Sequence, residues 1–380
     1  MNNVGKSNLL MIILPSAAGF LLFVTLVILF FATDVFRSDV NGDGAESDDV
    51  TIAEPTPTPT PAPQPTPSPT PEPTPEPQED EEPTGEELSP RVTHLSRWLT
   101  SREMRSFEAD HAVSAAQERY LAFGAYVMTN NRESIRVFAL HESESRHSAG
   151  ALLSNFWSIE DRASALVQLE SLSAAEGQSP VADDIYHTLV VNNFLEYVDG
   201  FELFLAEYYP LGLENVFDAA VRRAERLEDE FEALMEFADA GEEDREDMFE
   251  LFVYLQFADR INSGLEAYWH ARGLLIDNFG YTEEELLNLP TLAAWDYGRV
   301  AIIARYGAEA GYITEDMAWE HLKKAADSAA DVYDGWRDYT AAHILGRALA
   351  FGSSSEDFLN SLDFLLLHPE SSFQTIDFHR

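Results

Sequence analysis

The chain of 380 residues contains no cysteine and is poor in basic side chains. Without thiols it can form no disulfide framework and has no cysteine nucleophile. Its 24 Lys and Arg are outnumbered by 67 Asp and Glu, which gives a formal net charge of −43. A field of that sign repels phosphate backbones, so we expect no nucleic-acid partner.

The acidic excess is not confined to one end of the chain. Residues 1–90 hold 15 acidic and 2 basic side chains, so the remaining residues carry a net charge near −30 by themselves. Such a surface keeps a domain soluble, for instance in salty or acidic surroundings. A specific cationic ligand is the alternative interpretation.

Sequence patterns that mark catalytic or metal sites are scarce. There is no Gly-x-Ser-x-Gly elbow, no glycine-rich phosphate loop and no His-Glu-x-x-His motif. Two Glu-x-x-His pairs occur, Glu108/His111 and Glu144/His147, and such pairs supply ligands in di-iron helical bundles. Because glutamate is so frequent here, about one such pair is expected by chance, and we predict neither a metal nor a cofactor.

The prolines are concentrated in one stretch. Proline occupies every second position from Pro55 to Pro77, a pattern typical of extended polyproline II that cannot build a packed core. We therefore interpret residues 34–90 as a disordered, acidic and proline-rich linker. Fully extended, Pro55–Pro77 would reach about 70 Å at about 3.1 Å per residue.

An apolar run precedes this linker. Leu9–Phe31 contains no charged residue and, as a helix, would reach about 35 Å, enough to cross a hydrocarbon core of about 30 Å. The run is too long for the apolar region of a signal peptide, and its small residues, Ser16–Ala18, lie in the middle. We predict a transmembrane helix over 9–33 behind a short cytoplasmic tail, 1–8, which makes the membrane a partner of the chain.

Charges beside the run indicate its direction. Lys6 and the amino terminus precede it, whereas Arg37 follows among acidic residues. Positive charge is retained on the cytoplasmic side, so we expect the C-terminal part to be extracytoplasmic. The difference is about one charge, and a domain that faces the cytoplasm is the alternative.

A short acidic motif lies between the run and the prolines. Asp39, Asn41 and Asp43 with Gly44 resemble the first half of a dockerin-type or EF-hand calcium loop. Position 12 should then be a bidentate Glu or Asp, but Val50 stands there. We expect weak calcium binding or none.

Residues 91–380 show helical spacing of apolar side chains and predict an all-α, multi-helix globular domain. The 3,4 spacing from Phe217 to Ala238 predicts one long amphipathic helix over 213–240, ended by Gly241. The stretch Ser134–Leu140 could form a short strand. The other predicted helices cover 101–129, 147–155, 159–174, 181–207, 242–270, 282–288, 291–310, 314–331, 334–350 and 355–366.

Local signals mark several of these helix boundaries. A capping box begins at Thr282, and Ser158 and Thr314 each precede acidic residues in the way of N-caps. Gly311 fits a C-terminal stop for the helix before it.

Several short motifs occur in a fixed order along this domain: Trp157-Ser-Ile-Glu-Asp-Arg162, Trp295-Asp-Tyr-Gly-Arg299, Gly311-Tyr-Ile313, Trp319 and Gly346-Arg347. In this order the sequence resembles the bacterial family catalogued as domain of unknown function 1266, over about residues 115–355. The resemblance implies a domain type but no activity, because the family's name carries none.

The most suggestive charged cluster lies inside these motifs. Asp296 and Arg299 are i,i+3 on one predicted helix beside Trp295, and Trp336 and Arg347 follow on a later helix. A buried Arg–carboxylate network that fixes the helices is one interpretation. A pocket in which Arg299 or Arg347 holds an anionic ligand is the other.

These observations favour a membrane-tethered, extracytoplasmic helical domain with a binding or scaffolding role toward an unknown protein or small-molecule partner. The alternative is an enzyme or anionic-ligand receptor with its site around Asp296, Arg299 and Arg347.

Overall fold

The structure of the protein, a computed structural model, describes residues 93–141, 146–192, 212–238, 240–352 and 359–380. All of them belong to one unit of the chain, Leu88–Arg380. The predicted tail, transmembrane helix, linker and calcium-like loop lie outside the described residues, and so does Glu144. None of the helices that are described is long and apolar enough to cross a membrane.

The described part of the chain is helical, and it contains no β-strand, which confirms the predicted all-α class. A π-helix covers Tyr186–Val191, and a short 3₁₀ turn covers Glu242–Asp244. In chain order the α-helices are α1 (His94–Leu99), α2 (Arg102–Asp110), α3 (Ala115–Ala122), α4 (Ala125–Asn130), α5 (Arg146–Trp157), α6 (Arg162–Ser173), α7 (Ser179–Ile185), α8 (Glu214–Arg226), α9 (Glu228–Phe237), α10 (Arg245–Phe279), α11 (Glu283–Leu287), α12 (Ala294–Glu309), α13 (Glu315–Val332), α14 (Trp336–Phe351), α15 (Leu359–Leu367) and α16 (Ser372–Thr375).

Several predicted helix boundaries are confirmed. Thr282 and Glu285 form a reciprocal capping box at the start of α11, and the Thr314 side chain accepts from the Met317 N–H at the start of α13. Gly311 has a φ of 77°, so it stands in the left-handed region that a helix stop favours.

The single long helix predicted over 213–240 is wrong, because the chain bends at Leu227. There φ is −100° and ψ is 53°, and a new helix begins with three acidic residues, Glu228–Glu230, which suit a helix N-terminus. The bend lets Phe231 pack against Phe249 and Phe252 of α10. Tertiary packing therefore overrides an apolar period that is continuous along the sequence.

Other boundaries also differ from the predicted ones. The helix predicted over 101–129 is three helices, because Ser114 forms a capping box with Gln117 and α4 begins after Gly124. Ser158 has a φ of 53° in the turn after α5, and it is Asp161 that caps α6.

Helix α12 is the centre of the described fold. Of its 16 residues, 13 are buried, and it packs against α4, α5, α6, α13 and α14. Glycine permits the closest of these approaches, since a Cβ at Gly124 would lie 2.1 Å from Ala301 Cβ and one at Gly298 would lie 2.5 Å from His343 Cε1. The candidate cluster thus stands on the most enclosed element that the structure describes.

The strand that was predicted over Ser134–Leu140 does not form, because a buried arginine binds the main chain of this segment. Arg305 of α12 is 1% exposed, and it donates to the carbonyl oxygens of Ser134, Phe138 and Ala139 at 2.7–2.9 Å. These carbonyls are therefore not available to a neighbouring strand, and the segment makes only an isolated bridge, Ala112 to Val137. Burial lowers the pKa of Arg305 to about 10.

The C-terminal segment packs against α14 and against α3, one of the N-terminal helices of the domain. Trp336 stacks on Phe373 with ring centroids 4.3 Å apart, and its Nε1 donates to the Ile376 carbonyl at 2.8 Å. Arg119 of α3, which is 6% exposed, donates from Nε to the Phe378 carbonyl at 2.9 Å.

We predict that Arg305→Met lowers the free energy of unfolding by about 3 kcal/mol or more. The substitution keeps an apolar stem but leaves three carbonyl oxygens without their donor, and each unsatisfied buried group costs about 1–3 kcal/mol. Urea denaturation measures the effect, with Arg97→Met on the exposed face of α1 as the matched control. Equal midpoints for the two variants would contradict this role.

Candidate functional site

The carboxylate of Asp296 lies at the beginning of another helix. Asp296 is fully buried, and its oxygens accept the backbone N–H groups of Gly177, Gln178 and Ser179 at 2.9, 3.0 and 3.0 Å. The Ser179 N–H is the first of α7, where backbone donors have no partner within the helix, and Gly177 and Gln178 directly precede it. Asp296 of α12 therefore caps α7 from outside, where the helix dipole also favours a negative charge.

Arg299 completes the charge balance around this carboxylate. Its Nη2 forms an ion pair with Asp296 Oδ1, and its Nη1 donates to Gln178 Oε1 at 3.0 Å. The guanidinium is 4% exposed, so burial lowers its pKa while the charge of Asp296 acts in the opposite direction. Nε of Arg299 has no hydrogen-bond partner among the described residues, so these two contacts carry the hydrogen bonding of the guanidinium.

Two tryptophans enclose the guanidinium. Cζ of Arg299 lies 4.5 Å from the ring centroid of Trp295 and 5.5 Å from that of Trp157 at the end of α5. Trp295 Nε1 donates to the same Gln178 Oε1, at 3.0 Å. Cation–π contacts of this kind strengthen when the cation is desolvated, so the cluster connects α5, α7 and α12.

A second carboxylate also connects these two helices, but it belongs to α7 and accepts hydrogen bonds from the turn before α12. Asp183 of α7 accepts the Leu292 N–H and the Thr291 hydroxyl, both at 2.6 Å, in the turn before α12. Burial raises the pKa of the Asp183 carboxyl despite these bonds. A Cβ at Gly177 would lie 2.9 Å from Asp296 Oδ1, so the glycine gives the carboxylate room to reach the backbone.

A buried histidine lies beside the tryptophan. His343 of α14 is fully buried, stacks on Tyr126 with centroids 4.9 Å apart and donates from Nδ1 to the Ala294 carbonyl at 3.0 Å. Burial lowers its pKa to about 3, and the charges of Arg299 and Arg347 act in the same direction. The imidazole is therefore neutral at physiological pH.

The five predicted site residues do not form one group. Trp295, Asp296 and Arg299 are in direct contact with a shared partner, Gln178. Arg347 is half-buried on α14, one turn beyond His343. Trp336 lies three turns before Arg347 and belongs to the aromatic cluster under the C-terminal segment.

The metal candidates do not converge in the part of the chain that is described. Glu108 accepts from the Ser134 hydroxyl at 2.7 Å, whereas His111 Nδ1 donates to the Phe107 carbonyl at 2.9 Å. Within the described residues no group of three or more His, Asp and Glu is arranged to hold a metal ion.

Four residues of this site do not follow from the sequence: Trp157 belongs to a motif there without a role, and Gln178, Asp183 and His343 stand in no motif. Pro180 at the start of α7 marks the helix beginning that Asp296 caps. No sequence signal paired that beginning with a carboxylate more than a hundred residues away.

The sequence comparisons identify the class of domain. The chain belongs to the family described as protein of unknown function (DUF1266), whose profile matches residues 152–378. The predicted family membership is thereby confirmed, although the match begins and ends later than the predicted core, 115–355. No curated protein and no solved structure matches the chain.

We predict that Arg299→Ala destabilises the domain by about 3–5 kcal/mol, because it leaves the buried Asp296 charge without its cation. Arg222→Ala, on an exposed position of α8, should change stability by about 1 kcal/mol or less. Chemical denaturation of both variants measures the difference. Equal, small losses would argue against a structural network and for a ligand site at Arg299.

We also predict that His343 makes the domain sensitive to mild acid. The unfolded imidazole takes up a proton below about pH 6.5, whereas the folded one, with a pKa of about 3, does not. Stability therefore falls as the pH drops from 7 to 4.5, by about 2–3 kcal/mol from this group. Denaturation at several pH values should give a shallower pH slope for His343→Gln than for the wild type, and parallel slopes would refute the assignment.

Proposed function

We propose that the helical domain is a non-catalytic binding or scaffolding module, tethered to a bacterial cell membrane and positioned on its extracytoplasmic side. The anchor is the apolar run Leu9–Phe31, and the spacer is the proline-rich segment 34–90. Residues 91–380 form the domain that carries the binding or scaffolding role.

The observation that carries the non-catalytic part of this proposal is the complete pairing of the Asp296 carboxylate on the central helix, α12. Asp296 is fully buried and accepts three backbone N–H groups and Arg299, so neither of its oxygens faces a cavity that a substrate could enter. A group used in this way positions helices. It is poorly suited to proton transfer, which requires contact with a reacting molecule.

The tether is supported by the sequence before the domain. An uncharged segment long enough to cross a bilayer is followed by a linker with too few apolar residues to fold. A spacer of up to about 70 Å would hold the domain well away from lipid headgroups, which suits a module whose own surface is acidic.

The charge of the domain narrows the choice of partner. A domain with a net charge near −30 disfavours nucleic acid and anionic surfaces and favours partners that are basic or carry a cationic group. The competing function, an anion receptor or enzyme around Asp296, Arg299 and Arg347, would require the buried Arg299 to leave its carboxylate. The Arg299→Ala comparison separates the two.

Protease treatment of intact cells tests the location. We expect a protease added outside to cut the linker of the full-length chain and release a folded domain, while a cytoplasmic marker protein stays intact. Cleavage that occurs only after lysis would place the domain in the cytoplasm and contradict the proposal.

A truncation tests the anchor separately. Deleting residues 1–33 should give a protein that stays in the supernatant after ultracentrifugation of a lysate, because the described helices include none that could span a bilayer. Truncated protein that still sediments with membranes would show a second membrane contact.

A further inference from the structure

A cavity separate from the Asp296 cluster lies between the N-terminal helices and the C-terminal end of the domain. Its volume is about 330 Å³, which suits a small molecule. One wall is α2 with the end of α1, and the other is Phe364 of α15 with the turn at Pro369–Glu370. The first wall precedes residue 152 and so lies before the family match, whereas the second wall lies within it.

Two opposite charges on α2 face this cavity. Arg105 and Glu108 are i,i+3 and therefore lie on the same side of the helix. Arg105 donates from Nη2 to the Thr100 carbonyl at 2.7 Å, and Glu370 Oε2 is 3.6 Å from the same nitrogen. Its other N–H groups donate to none of the described residues, so most of the guanidinium is available to a ligand.

One carboxylate oxygen of Glu108 has no hydrogen-bond donor among the described residues. Its Oε1 accepts from the Ser134 hydroxyl at 2.7 Å, and its Oε2 accepts no hydrogen bond from any residue that the structure describes. Burial raises the pKa of this carboxyl, although Ser134 and the charge of Arg136 act against the rise. Because Oε2 has no donor among the described residues, an ammonium group brought to it would be stabilised.

The second arginine of the cavity, Arg136, is held in place by hydrogen bonds within the domain. Arg136 donates to Glu118 Oε1 at 2.9 Å, to the Glu370 carbonyl at 2.8 Å and to the Thr375 hydroxyl at 3.2 Å. It holds the two sides of the cavity together, so the geometry does not depend on a ligand. The apolar side chains of Leu99, Ile135 and Phe364 also line the cavity.

These groups select a ligand with two charges. A simple anion would meet the overall negative field of the domain, and a simple cation would meet the guanidinium groups of Arg105 and Arg136. A zwitterion places a negative group on the guanidinium side and a positive group on the carboxylate. An apolar substituent can then contact Leu99, Ile135 and Phe364. We propose that this cavity binds a free amino acid with an apolar side chain, its carboxylate on Arg105 and its ammonium on Glu108.

This inference deepens the binding role proposed above and rests on it. The two fail separately, because protease accessibility reports location and does not depend on the cavity. An accessible domain that binds no amino acid would refute the ligand alone.

Isothermal titration of the full-length protein in lipid nanodiscs with L-leucine tests the site. We expect a dissociation constant below about 1 mM, equivalent to about −4 kcal/mol. Isoamylamine, which lacks the carboxylate, and 4-methylpentanoate, which lacks the ammonium, should each bind at least tenfold more weakly. Absence of leucine binding, or binding of either analogue as tight as that of leucine, would overturn the proposal.

Variants of the two charged residues locate the binding. Arg105→Gln and Glu108→Gln should each weaken leucine binding at least tenfold, whereas Arg102→Gln, on an exposed position of the same helix, should not change it. If Glu108→Gln fails to fold, Arg105→Gln still decides, because that side chain is 60% exposed. Unchanged affinity in a folded Arg105→Gln variant would refute the site.

Discussion

The arrangement of this domain depends on one carboxylate at the beginning of a helix to which it does not belong. Asp296 accepts the N–H groups of the turn that begins α7, and Arg299 neutralises the buried charge that this requires. Asp183 of α7 in turn accepts the Leu292 N–H in the turn before α12. Because each helix holds the turn that leads into the other, neither can shift along its axis without leaving several buried polar groups unpaired.

The two charged pairs of the domain differ in how far the domain itself pairs them. The pair at the centre is enclosed by Trp157 and Trp295, and its carboxylate is fully paired, although Nε of Arg299 has no partner among the described residues. The pair on α2, Arg105 and Glu108, lies at a cavity and keeps donors and an acceptor in reserve. Each pair joins an arginine to a carboxylate, and burial with the number of partners is what distinguishes the structural role of the first pair from the binding role proposed for the second.

The sequence was sufficient for the class of fold, the family and those boundaries that local chemistry sets, such as Thr282, Thr314 and Gly311. It failed where a distant contact decides. The apolar period through Leu227 continues, yet the helix bends because Phe231 packs on α10. The contact of Asp296 with Arg299 was predictable from i,i+3 spacing. Its contacts with Gly177–Ser179 were not, because main-chain donors leave no trace in residue identity.

The hydrogen bonds from Arg305 to the segment 134–139 affect how the sequence of that segment can change over evolution. Its three hydrogen bonds go to carbonyl oxygens, which every amino acid provides. The main-chain path at Ser134, Phe138 and Ala139 is thus specified by a residue elsewhere in the chain. Substitutions at Phe138 and Ala139, which are half-buried, would keep these hydrogen bonds, so that sequence divergence at those two positions would conceal conservation of shape.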